Sequence, residues 1–325
     1  MNRAGAWILA RLRQSILEVI LLAVCAGLAL GAENFFTAEN LLIILRSVSM
    51  QGIIAFGMTM VIICGEIDLG VGSMVAFSGC LAAWLTGLLG RAGLPMAAAV
   101  PLAVAASLGA GGGIGALTGF LRNRFRVPTF ITTLAWFTIL KGLAGRLTGG
   151  FQIVTFPDWY GFLGAGFVLG IPFPALVFVA VFALSHFVMN HTAFGRSIYA
   201  VGGNAEAARL SGIPVDRIRV GVMVIVACLA VLGGVLNSSE IMQGTARTAE
   251  GWELSVISAV IIGGTSLMGG AGTVRGTLVG VVFLGVINNG MTQLNFSEYD
   301  RYIVQGALIL AAVLLNQLPA GRKGA

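Results

Sequence analysis

The sequence predicts an all-α polytopic membrane protein with about ten transmembrane helices. Three observations carry that prediction. Only 10% of the residues are charged, whereas soluble domains carry roughly 25%. Apolar residues make up 57% of the chain, and the mean hydropathy is +0.95. Several apolar runs reach the ~20 residues that a helix needs to cross a ~30 Å hydrocarbon core. In that solvent every backbone N–H and C=O must be satisfied internally, which leaves helices or closed barrels. Barrel strands are short and alternate apolar with polar residues. These runs do not alternate, so they are helices.

Taken in order, the spans fall at about 15–31, 41–63, 70–89, 95–120, 128–148, 166–188, 221–240, 254–268, 272–289 and 302–318. The first follows a basic start, and no small-residue cleavage site stands out, so it reads as an uncleaved span rather than a signal peptide. An even number of spans puts both termini on one side. Placing them inside assigns thirteen of the nineteen Lys and Arg to that side: Arg3, Arg11, Arg13, Arg122, Arg124, Arg126, Arg196, Arg209, Arg217, Arg219, Arg275, Arg322 and Lys323. Only Arg91, Arg247 and Arg301 fall in the opposite loops, which instead carry Glu33, Glu39, Asp158, Glu250, Glu253, Glu298 and Asp300. Excess Lys and Arg marks cytoplasmic loops. Both termini are therefore expected in the cytoplasm, and the formal charge of +6 reports orientation rather than a nucleic-acid partner.

Residues 1–325 read as one transmembrane domain. Glycine supplies 47 of them, about twice the average share of ~7%. In "LGAGGGIGALTGFL" (108–121), Gly111, Gly115 and Gly119 recur every fourth residue on one helix face. Small residues at that spacing let helix backbones approach closely in lipid. A dinucleotide fingerprint would need a strand before it, and this run lies inside a span. A weak internal echo, "GEIDLGVG" (65–72) and "GGTSLMGG" (263–270), raises a repeat of roughly 41–148 and 221–318, because transporters often carry interrupted helices at matching positions. Cys25, Cys64, Cys80 and Cys228 sit in apolar runs without a Cys-x-x-Cys pair, as small buried hydrophobes do. His186 and His191 are isolated. No catalytic or metal-ligating constellation is present in the pattern.

Against this background "AVGGNAEAARLSGIPVDRIRV" (200–220) is polar and turn-rich, between "FPALVFVAVFALSHFVM" (173–189) and "GVMVIVACLAVLGGVL" (221–236). Asn204 is a good N-cap, and Glu206 sits in the first turn, where the helix dipole favours an anion. "AEAARLS" is strong helix-forming sequence. Gly212 supplies a left-handed position after the helix, and Pro214 follows where the helix cannot continue. The pattern predicts a helix of about two turns at 204–211, bounded by Gly202-Gly203 and Gly212, within a coupling loop at 190–220. A helix that short is marginal alone in water, so it docks on its own spans or on a partner.

Glu206-Ala207-Ala208 followed by Gly212 resembles the Glu-Ala-Ala-x-x-x-Gly loop of ABC importer membrane subunits. The run "GRSIYAVGGNAEAARLSGIPVDRIRV" (195–220) is similar to the branch serving ribose and other monosaccharides. So are "GEIDLGVGS" (65–73), "VPTFITTLAWFTILKGLA" (127–144), "SVISAVIIGGTSLMGGAGTVRGTLVGVV" (255–282) and "GVINNG" (285–290). Members of that branch often have Gly-Gly-Ile-Asp-Leu-Ser where this chain has Glu66 and Gly70. The resemblance implies a vitamin-B12-importer-like (type II) permease of the bacterial inner membrane. It implies a second permease subunit, identical or homologous, a cytoplasmic ATPase and a periplasmic solute-binding protein. Gly202, Gly203, Asn204, Glu206, Arg209 and Gly212 would then form the ATPase-coupling loop. No cofactor is expected on this chain, with ATP and Mg held by the ATPase. Independently of the family, a phosphate-binding loop needs Gly-x-x-x-x-Gly-Lys-[Ser/Thr], and neither lysine, Lys141 or Lys323, lies in one.

Four further polar residues are singled out. Glu66 and Asp68 lie at the junction of two spans, where they act structurally, with Arg46 as a partner, or relay protons in a rival secondary transporter driven by proton or sodium flux. A passive channel is a third class, and it needs no capped helix. Asn288 and Asn289 lie late in a span, lining the path or bonding helix to helix. Lys141 and Arg146 snorkel from the outer half of a span.

Overall fold

Helices form where the apolar runs predict them, and local caps and prolines set their ends. The computed structural model describes residues 16–32 and 34–317. Predicted inner residues Arg3, Arg11, Arg13, Arg322 and Lys323, and Glu33 of the opposite loops, lie outside the described residues. Helix α1 is Ile16–Gly31, α2 Ala38–Ile63, α3 Val71–Arg91, α4 Met96–Phe125 and α5 Thr129–Thr148. A short turn, Asp158–Gly161, leads into α6, Phe162–Ala165, and a two-stranded hairpin of β1, Phe167–Val168, and β2, Ile171–Pro172. Then come α7 Phe173–His191, α8 Ala193–Gly203, α9 Ala205–Leu210, α10 Val215–Glu240, α11 Trp252–Ile262, α12 Val274–Gln293 and α13 Glu298–Gln317. Side-chain oxygens of Thr37, Thr192 and Thr273 cap α2, α8 and α12, each accepting from a backbone N–H that has no partner within its helix. Prolines at 95, 128 and 172 precede α4, α5 and α7.

Among the described residues, six helices have both the length and the apolar composition to cross a bilayer: α2, α3, α4, α7, α10 and α12. The protein is a polytopic, helical membrane protein. Helix α10 is the centre of the bundle and packs along α4, α3 and α2. The glycine face of α4 makes close contacts of this kind. A Cβ at Gly119 would lie 2.6 Å from Val220 Cα, and one at Gly115 would lie 2.9 Å from Val224 Cα. The predicted packing role of Gly111, Gly115 and Gly119 is what the structure has.

Two predicted spans need correction. The run 166–188 is helical only from Phe173, because residues 167–172 turn back on themselves in the hairpin. The run 254–268 is broken: α11 ends at Ile262, and residues 263–273 are irregular. Eleven residues span only about 16 Å, half of a hydrocarbon core. The 241–251 segment before α11 is not helical either. Gly244 is bonded in both directions to Ile153 at 2.9 Å, and it passes close to α3, where a Cβ on Gly244 would lie 2.9 Å from Gly79 O and 3.0 Å from Cys80 Cα. Non-helical backbone is tolerated at membrane depth only where protein or a water-filled cavity covers it. Mean hydropathy does not register such breaks, since the residues stay apolar or small.

Candidate functional site

The polar module folds as its local chemistry dictates. Asn204 ends α8 and begins α9, its Oδ1 accepting the N–H groups of Glu206 and Ala207 at 3.0 Å each. Gly212 has φ +81°, and Ile213 N–H closes the helix by donating to Ala208 O at 3.0 Å. The helix at 204–211 is therefore present as Ala205–Leu210. Ala208 is buried and holds it to the body. Glu206, Arg209 and Leu210 face out, Leu210 with 83% of its surface exposed. An apolar residue that open, on an ordered helix, was invisible in the sequence, where only propensity could be read.

Gly202 and Gly203 are not loop residues bounding this helix, as expected. They form the last turn of α8, because the chain needs a backbone without side chains there. A Cβ on Gly202 would collide with the carbonyl oxygen of Ile63, at the end of α2, and would lie 2.7 Å from Gly270 N. Gly270 N–H donates to Ile63 O at 2.8 Å. A Cβ on Gly269 would lie 2.8 Å from Gly202 O and 3.1 Å from Gly65 Cα. The two echoing segments, 65–72 and 263–270, thus meet each other and α8 at one all-glycine joint. Six residues separate its α8 arm from the exposed Leu210.

Immediately beyond the joint, Glu66 ties three helices. Arg122 Nε donates to Oε1 at 2.9 Å and to Oε2 at 3.1 Å, Thr129 Oγ1 donates to Oε2 at 2.8 Å, and Arg219 Nε pairs with Oε1 at 3.0 Å. These come from α4, α5 and α10. Arg122, Arg126, Arg209 and Arg219 line a cleft of about 650 Å³ beside α9. Four of the arginines assigned to the inner side therefore gather at one end of the bundle. Asp68 lies in the connection between α2 and α3, where its Oδ1 accepts Gly70 N–H at 2.7 Å and starts α3. Burial pushes its carboxyl up to about 6, partly offset by the Gly70 bond. Both acids are structural ties in this arrangement. The expected partner Arg46 is elsewhere: it stacks on Phe167, 5.2 Å from the ring centre, and lies 3.9 Å from Glu240. The signal for Arg122 and Arg219 was non-local, and nothing in the spacing of the sequence reveals it.

Asn289 bonds helix to helix. It exchanges amide hydrogen bonds with Asn40 of α2 at 2.8 and 2.9 Å, and Gln293 joins them at 2.8 Å. Asn288 is half-buried one position away, and its carbonyl accepts from Thr292. Lys141 is paired rather than only snorkelling, with Nζ 2.9 Å from Glu250 Oε1. Among the described residues, no three His, Cys, Asp or Glu side chains gather as metal ligands do.

The Glu66 cluster gives a first test. Removing one partner of a buried ion pair costs about 3–5 kcal/mol. Glu66→Gln leaves two guanidinium groups without their carboxylate, so a drop in detergent melting temperature and in membrane level is expected. A normal level, with transport that merely loses its pH response, would instead assign Glu66 to proton coupling.

The chain is 39% identical to the ribose import permease protein of Escherichia coli (strain K12), over 96% of this chain and 94% of that one. It is 41% identical to the ribose import permease protein of Bacillus subtilis (strain 168), over 87% and 86%. With the L-arabinose ABC transporter permease protein of Azospirillum brasilense it shares 36% over 97% and 90%. No solved structure matches it. A family model described as the branched-chain amino acid transport system / permease component matches residues 40–313, and with these helices and these relatives the chain belongs to that family of membrane permeases.

Proposed function

We propose that this chain is the translocating subunit of an ATP-driven importer for a monosaccharide, and that α9 is where a separate ATPase engages it. The observation that carries this reading is the exposed tip of α9. Leu210 stands open beside Glu206 and Arg209 on a helix fixed by Asn204 and Gly212. Exposed apolar surface framed by charges suits a protein partner. The relatives, named as ribose and arabinose permeases, support a pentose as the solute. In this reading the bundle has about ten spans in the type II arrangement and lies in the bacterial inner membrane. Both termini and α9 face the cytoplasm. Two such subunits, identical or homologous, enclose the path, a periplasmic protein delivers the solute, and ATP and Mg sit on the ATPase.

Two measurements test it. Ala205→Cys is expected to react with a membrane-impermeant thiol reagent only from the cytoplasmic side. Leu210→Glu and Glu206→Arg are expected to insert normally but to lose co-purification of the ATPase and sugar uptake together. Full ATPase capture by both variants would return α9 to a packing role.

A further inference from the structure

The turn-rich 241–251 segment and the first turn of α3 leave a cavity of about 160 Å³ between them. At a water's liquid share of about 30 Å³, that is room for about five waters. The cavity lies deep along the bundle. Lys141 on its wall is twelve residues beyond Thr129, the start of α5, or about 18 Å along a helix about 30 Å long. Glu253, in the first turn of α11, lines this cavity.

Glu253 is 8% exposed, and its Oε2 accepts no hydrogen bond among the described residues. The carboxylate lies over Gly72, in the space a side chain there would fill. Its place is thus made by a missing Cβ, and the carboxyl's donors are the backbone N–H groups of Glu253 and Gly251, which leave Oε2 unpaired. At the mouth, the paired Lys141 and Glu250 side chains are 53% and 55% exposed. Charged groups at this depth face a bundle interior or water rather than hydrocarbon.

We propose that this cavity is a solute-contact site on the translocation path, that it takes a neutral, polyhydroxylated ring, and that Glu253 is its main acceptor. The inference rests on the reading of the chain as a sugar permease and deepens it. A sugar hydroxyl supplies the donor that Glu253 Oε2 lacks. Thr248 Oγ1 already donates to Asn237 Oδ1, so its lone pairs remain open to a second hydroxyl. Lys141 presents donors at the mouth, and the Phe137 ring on the wall suits the C–H face of a sugar. Two carboxylates against one ammonium disfavour an anionic group, which an amino-acid zwitterion would bring. Non-helical backbone beside a helix start at mid-depth is also where discontinuous helices of other transporters hold their solutes.

The test uses the full permease in lipid nanodiscs and in cells with its ATPase and binding protein. Thr248→Cys is expected to react with a small hydrophilic thiol reagent and to be protected by excess D-ribose or L-arabinose, but not by L-leucine. Adding Glu253→Gln is expected to remove that protection. In uptake, Glu253→Gln is expected to lower the rate about tenfold or more, as the loss of one charge-assisted hydrogen bond would, and Phe137→Ala is expected to lower it through the lost ring face. Membrane level and ATPase capture should stay unchanged. If the Thr248→Cys permease imports both sugars but they give no protection, the site is wrong while the permease reading stands. Normal import by Glu253→Gln and Phe137→Ala would overturn the site in the same way. If the wild-type protein imports neither sugar while L-leucine is imported and protects Thr248→Cys, the sugar reading fails with it.

Discussion

Gly202→Ala is expected to abolish uptake while the subunit still inserts, and Gly203→Ala beside it is expected to change almost nothing. The added methyl at 202 runs into the Ile63 carbonyl, with Gly270 N 2.7 Å away, whereas nothing lies within 4 Å of a methyl at 203. The obstacles at 202 are main chain, so they cannot rotate aside. Overpacking of that kind costs about 1–3 kcal/mol or more, and here it is relieved by lifting α8 off α2. Uptake, ATPase capture and melting temperature of the two variants, measured side by side, check this. Equal behaviour of the pair would mean that the close approach at Gly202 has no role in transport.

The second large effect is expected at Gly212. Its φ of +81° belongs to the left-handed region, and the space around it is open, so a substitution is penalised by conformation alone. Asn enters that region most readily among residues with side chains, Ala less so, and a β-branched residue least. Uptake and ATPase capture should therefore fall in the order Gly, Asn, Ala, Val, with Gly212→Val close to inactive and normally inserted. Sterically driven damage would rank Asn with Val by size. For comparison, Asn204→Ala removes a cap worth about 0.5–2 kcal/mol and should give a partial defect.

The parts of this protein that were legible in the sequence are those whose chemistry is local. Asn204, Glu206 and Gly212 announce a helix because a cap, a first-turn acid and a left-handed glycine lie within nine residues of one another. The spacing of Gly111, Gly115 and Gly119 is likewise a property of one helix. What stayed hidden depends on partners far along the chain. Glu66 finds Arg122 and Arg219, while the nearer Arg46 lies with α6, β1 and α10. Gly202 looked like a turn residue because its need for a bare backbone comes from Ile63 and Gly270. The break between Gly263 and Thr273 stayed hidden because hydropathy counts apolar residues and does not register main-chain irregularity.

The glycine joint also bears on how such a machine diversifies. Residues 65, 202, 269 and 270 meet through main chain and contribute no side chain, so their contact does not depend on side-chain identity. Changes at Leu210 or Glu206 that suit a different motor need no matching change at the joint. Neither do changes around Glu253 that suit a different cargo. If α9 and the Glu253 cavity act as proposed, either end can change in sequence while the main-chain joint between them stays the same.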